Sequence, residues 1–155
     1  MEIEIDFTDL IRLKTDVDRL GKLPQKCVTK AVRAGAKVVL REEKRLAPYR
    51  FGYLEKGIIL APEKTRKPGK KVIETVFDRR MNDIFRKTVK NPGKGKKNTA
   101  YYPSSMEYGF DLKNGKGHRE GERFMQIAAK NKESEMNDIV IRTLTKELDK
   151  EWAKR

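Results

Sequence analysis

A chain with one histidine and one cysteine has few places for side-chain chemistry. His118 stands in Lys116-Gly117-His118-Arg119-Glu120, and a lone imidazole among loop charges predicts an exposed side chain, because general-base work needs an orienting partner and a pocket. Cys27 lies beside the apolar stripe of a helical stretch. With no His or Asn at a recognisable distance, it predicts a buried thiol and not a nucleophile. Ser104-Ser105 lacks a nucleophile-elbow sequence. Gly115-Lys116-Gly117 is too short for a phosphate-binding loop, and no Gly-Lys-Ser/Thr follows a strand. Glu74, Asp78 and Asp83 are the nearest approach to a metal-dependent nuclease set; alternation puts Glu74 and Asp78 on one strand face and leaves Asp83 unplaced. Soft ligands are too few for structural zinc. The residues predict a non-enzyme without a cofactor.

Binding chemistry is better supplied. Lys plus Arg number 37 against 23 Asp plus Glu, a net charge of +14, and the excess is local. Residues 1–20 carry a net of −3, residues 21–50 +7 and residues 63–97 +9, while 131–155 are neutral. Two clusters dominate, one with Lys64, Lys67, Lys70 and Lys71 and the other with Lys94, Lys96 and Lys97. Both contain Pro-Gly, which predicts basic mobile loops at about 63–71 and 86–98 whose lysines can reach a phosphate backbone. Lysine loops also simply solvate a surface. The remaining reading is contact with nucleic acid or an acidic protein. Neither cluster contains an aromatic residue, so base stacking is not expected there.

The elements that carry these residues follow from periodicity. Ile3, Ile5 and Phe7 alternate as a short strand; Leu10, Leu13, Val17 and Leu20 then recur as a helix capped by Thr8 or Asp9. A second helix is predicted from about Pro24 to Leu46, with the stripe Val28, Ala31, Val32, Gly35, Ala36, Val39 and Leu46. Its small middle, Ala31 to Ala36, admits a close neighbour, and Ala47-Pro48 ends it. Ile58–Ala61 and Val72–Phe77 predict a hairpin with a long connection. Residues 79–90 fit either a short helix with Met81, Ile84, Phe85 and Val89 or an extended arm, and Thr99–Phe110 predicts a strand bearing Tyr101, Tyr102 and Tyr108. Met136, Val140, Leu144, Leu148 and Trp152 recur every four residues, with Ile141 widening the stripe, in a last helix capped by Asn131 or Ser134. At 155 residues this predicts one domain over 1–155. The fold expected is α+β, a small, mainly antiparallel sheet packed against the long central helix and the C-terminal helix. No apolar run reaches the ~18 residues of a membrane span, and the acidic N-terminus is unlike a signal peptide, so a soluble protein of a reducing compartment is expected.

Three separated segments together resemble one family. Ala47-Pro48-Tyr49-Arg50-Phe51-Gly52-Tyr53-Leu54-Glu55-Lys56-Gly57-Ile58 resembles Ala-Pro-x-x-x-Gly-x-Leu-x-x-Ser-Ile after a long basic helix. Tyr102-Pro103-Ser104-Ser105-Met106-Glu107-Tyr108-Gly109 resembles a Tyr…Val-Glu-x-Gly strand, and Phe124-Met125-Gln126-Ile127-Ala128 resembles Pro-Phe-Leu-Arg-Pro-Ala before a long terminal helix. The family is the tail-completion or head–tail joining proteins of tailed phages, those similar to minor tail protein Z. Order and spacing over about residues 1–153 carry the resemblance, with Gly57 where Ser is usual and Arg123 where Pro is usual.

The resemblance implies a structural virion protein that needs no cofactor. It would form a homo-oligomeric ring, with six copies as the expected number, at the head-proximal end of the tail. There it would meet a tail-terminator ring or head connector, after assembly in the host cytoplasm. The motif positions so implied are Gly52, Leu54, Glu107, Gly109, Phe124 and Ala128. Gly52 and Gly109 are expected to take positive φ or a close backbone approach. Alternation in a strand would turn Glu107 away from Met106 and Tyr108, leaving it either exposed to solvent or paired with a basic residue of the same or a neighbouring subunit. The alternative is a non-catalytic basic nucleic-acid-binding protein; a mixed case has the lysine loops touching DNA inside the ring.

Overall fold

The computed structural model describes residues 24–64, 67, 69–90, 98–112 and 116–153. The expected first strand and first helix, and Lys94, Lys96 and Lys97, lie outside the described residues.

Helix α1, Pro24–Leu46, forms where the sequence predicts it. Its deepest line runs through Cys27, Ala31, Gly35 and Val38, so Cys27 sits on the stripe and not beside it, while Val28, Val32 and Val39 are half-buried. The chain then makes one helical turn, α2 (Tyr53–Gly57), and the hairpin strands β1 (Ile58–Pro62) and β2 (Ile73–Phe77). These pair antiparallel from Ile58↔Phe77 to Pro62↔Ile73. Both readings of 79–90 are realised in part: a 3-10 turn at Arg79–Met81, helical turn α3 (Asn82–Phe85), then strand β3 (Arg86–Thr88).

The predicted strand over Thr99–Phe110 is corrected. It divides into strand β4 (Thr99–Tyr101), helix α4 (Tyr102–Tyr108) and strand β5 (Gly109–Asp111). Pro103 falls in the first turn of α4, where its missing N–H has no intrahelical use and its fixed φ suits the helix. Strand β6 (His118–Glu120) pairs with β5, and α5 (Phe124–Trp152) completes the described chain. The architecture is α+β. In place of one sheet there are three two-stranded antiparallel sheets, β1-β2, β3-β4 and β5-β6, because the short strands after β2 are interrupted by helical turns.

Helices α1 and α5 pack antiparallel through the small residues. A Cβ on Gly35 would fall 2.6 Å from Val140 Cγ2 and 3.0 Å from Met136 Cγ. Lys30 pairs with Glu147 between the same two helices, and Lys150 adds a second contact to Glu147 at 3.1 Å. These two lysines hold the Glu147 carboxyl down to about 2, mainly through hydrogen bonds. The α5 stripe is narrower than its spacing implies. Met136, Val140, Leu144 and Leu148 are half-buried, whereas Ile141 and Trp152 are exposed. Met136 and Val140 line an apolar groove of about 540 Å³ with Val32, Ala36, Val39 and Ile73. A second core gathers on Phe85, which is fully buried and takes edge contacts from Phe77 at 5.7 Å and Tyr101 at 6.0 Å.

Candidate functional site

Two of the motif segments, 102–109 and 124–128, meet at one junction, where the C-terminal end of α4 abuts the N-terminal end of α5. Gly109 ends α4 with φ +86 and ψ −175, and its N–H reaches Ser105 O. The carbonyls of Met106 and Glu107 accept the N–H groups of Glu122 (2.8 Å) and Arg123 (3.1 Å). Glu107 turns its buried carboxylate onto α5, where Oε2 accepts from Met125 N (3.0 Å) and Oε1 from Gln126 N (3.2 Å).

That corrects the expectation of an exposed carboxylate or a basic partner. Strand alternation does not apply on helix α4, and the carboxylate meets the unpaired N–H groups and positive end of α5. It also replaces Asn131 or Ser134 as the cap, so α5 starts at Phe124. Arg123 precedes α5 in the left-handed region, φ 48. A proline, locked near −65°, cannot take this angle. Phe124 and Ala128, in the first turns of α5, are buried, and so is Leu54 on α2; Gly52 precedes α2 with φ +68.

The loop between α1 and α2 presents the opposite character. Tyr49 is 82% exposed, Phe51 66% and Tyr53 40%. Arg50 lies 5.5 Å from the centroid of Phe51, and the Phe51 and Tyr53 rings are 5.9 Å apart. A cluster of three exposed aromatics beside a guanidinium has the composition of an interface core. The sequence contains these residues within the resembled motif, yet their types alone suggest burial. The nearby Pro48 and Gly52, which shape a turn, are the signal that could have marked them as outward-facing.

Of the two lysine clusters, the first lies largely among the described residues. Lys64, Lys67 and Lys70 are exposed and Lys71 is half-buried, its ammonium reaching Glu63 O. The described part of this loop is tied to α1, since Gln25 Oε1 accepts from Gly69 N (3.0 Å) and Gln25 Nε2 donates to Lys70 O (3.3 Å). His118 contacts Asp111 at 3.0 Å on the exposed β5-β6 hairpin. Asp78, from the carboxylate set considered for a nuclease, is engaged instead by Arg80 at 2.8 Å, whose hydrogen bonds hold its carboxyl below the ordinary range.

One charged residue of consequence has no signal in the sequence. Glu43 on α1 is 2% exposed; its Oε1 accepts from Thr75 Oγ1 at 2.7 Å, and its Oε2 has no partner among the described residues. Burial raises its pKa to about 7, the negative charge of Glu107 adds to the rise, and the Thr75 bond opposes it. The folded chain therefore retains a proton there that the unfolded chain releases near 4.5. Stability from this group falls as pH rises from about 4.5 to about 7 and is flat above. At ~1.4 kcal/mol per unit the loss is about 3 kcal/mol. Urea unfolding at pH 5 and pH 8 should show it, and Glu43→Gln should remove most of the difference. An unchanged difference would assign it to other groups.

Comparison with protein-family models, curated proteins and solved structures returns no match.

Proposed function

We propose that the protein is a non-catalytic, ring-forming component of a phage head–tail junction, joining tail to head through protein–protein contacts. The observation that carries this reading is the exposed aromatic cluster of Tyr49, Phe51 and Tyr53, which lies inside the first resembled segment. The residues shared with the family pattern divide between two tasks in this reading. Leu54, Glu107, Phe124 and Ala128 are buried and hold the helices together, while the aromatic loop is free to seat on a neighbouring copy. The exposed lysines of 64–71 then face an acidic tail-terminator or connector surface.

The test is the composition and joining of particles. Mass spectrometry of purified virions encoding the chain should find it in ring-sized copy number. Tyr49→Ser with Phe51→Ser should yield tails that do not join heads, while the free protein keeps its urea midpoint. Virions lacking the chain, or normal joining by the double variant, would overturn the reading.

A further inference from the structure

The 3-10 turn, α3 and the β3-β4 hairpin enclose an open cleft of about 720 Å³, lined by Phe77, Arg79, Asn82, Arg86, Thr99 and Tyr101. Arg86 and Tyr101 are register partners across the hairpin and so share one face. The rings of Phe77 and Tyr101 are half-buried and fixed by their edge contacts to Phe85. Both arginines are exposed, and neither guanidinium has an ion pair or hydrogen bond among the described residues. Among the described residues no carboxylate lines the cleft, and the adjacent Asp78 is occupied by Arg80 through bonds of 2.8 to 3.2 Å, leaving Arg79 without a carboxylate partner there.

We propose that this cleft binds single-stranded nucleic acid, with Arg79 and Arg86 on backbone phosphates and an unstacked base against the rings of Tyr101 and Phe77. Each guanidinium presents a planar fork that fits phosphate oxygens in pairs. The Asn82 amide and Thr99 hydroxyl add hydrogen-bonding groups beside them. An acidic side chain of a protein partner would satisfy the guanidinia but leave the ring faces and most of the volume unused. A nucleotide engages both parts. A duplex keeps its bases stacked, so the rings select a single strand.

The sequence hides this site because the aromatics are absent from the lysine clusters. They enter from Phe77 on β2 and Tyr101 on β4, and only pairing of β3 with β4 places Arg86 beside Tyr101. The cleft shares no residue with the aromatic cluster at 49–53, and the proposal stands apart from the head–tail reading.

Fluorescence anisotropy with a labelled oligothymidylate tests it, alongside a duplex of equal length and a labelled polyglutamate. Arg79→Gln combined with Arg86→Gln should lower oligothymidylate affinity at least tenfold at low salt. It should also flatten the log–log salt slope by roughly 0.7 for each phosphate no longer neutralised. Tyr101→Leu keeps an apolar side chain against Phe85 but removes the ring. It should weaken binding roughly five- to a hundredfold with the salt slope unchanged. Arg33→Gln with Arg142→Gln removes equal charge from exposed positions on α1 and α5 and should have little effect. Equal losses of affinity in the two arginine pairs would reduce the binding to diffuse charge and overturn the proposal. So would duplex binding as tight as single-strand binding, or polyglutamate binding that the cleft substitutions abolish while oligothymidylate does not bind. Coincident thermal melts of the variants would exclude misfolding.

Discussion

Gly109→Ala is expected to destabilise the protein by about 4 kcal/mol or more, enough to remove much of the stability of an ordinary domain. Two effects add at this residue. Its backbone, φ +86 and ψ −175, lies in a region that side-chain-bearing residues scarcely enter. A Cβ there would also fall on the Arg119 carbonyl, which is backbone held in the β5-β6 ladder and has little room to retreat. Gly121→Ala should behave similarly, since its Cβ would fall on the carbonyl of Glu107. Urea denaturation followed by circular dichroism measures both. A loss of stability below about 1 kcal/mol in either would mean that the junction relaxes far more freely than its hydrogen bonds imply.

Glu107→Ala should cost about 3–5 kcal/mol, from two charge-assisted hydrogen bonds and two N–H groups left unpaired at the start of α5. Glu107→Gln keeps one acceptor but turns an amide donor toward the second N–H, so its destabilisation should be intermediate. Both changes remove a negative charge that raises the Glu43 pKa. The stability loss between pH 4.5 and 7 should therefore shrink in either variant, a signature that simple disruption of packing would not produce. Absence of that shrinkage would separate the two carboxylates electrostatically.

The two long helices were legible because their periodicity persists over many turns, and the first hairpin because Ile, Val and Phe cluster in short runs. Residues 99–110 misread for a physical reason. Tyr101, Tyr102 and Tyr108 have strand propensity, but tertiary contacts outweigh it: Glu107 must reach two N–H groups on α5, and a helical turn delivers it there. The role of Glu107 could not be read locally, because its partners lie 18 and 19 residues downstream. Glu43 looks like one charge in a basic helix, and nothing in its neighbours announces Thr75 across the hairpin. Ile141 and Trp152 err in the opposite direction. A four-residue repeat drifts around a helix of 3.6 residues per turn, so the stripe has left the contact face by Trp152, while Ile141 stands about 100° around the helix from Val140.

The pairing of α1 with α5 joins segments far apart along the chain, with 117 residues separating Lys30 from its partner Glu147. On the ribosome α1 emerges well before its principal neighbour exists, since the chain from 47 to 123 lies between the two helices. Closing so long a loop is slow compared with forming either helix, since its entropy is lost before the contacts that reward it are made. The folding nucleus is then expected in the local pieces, the β1-β2 hairpin and the Phe85 aromatic cluster, with helix docking as the late step. Nascent chains truncated before α5 would carry an uncovered basic helix, a state that a chaperone or nucleic acid could hold until synthesis ends.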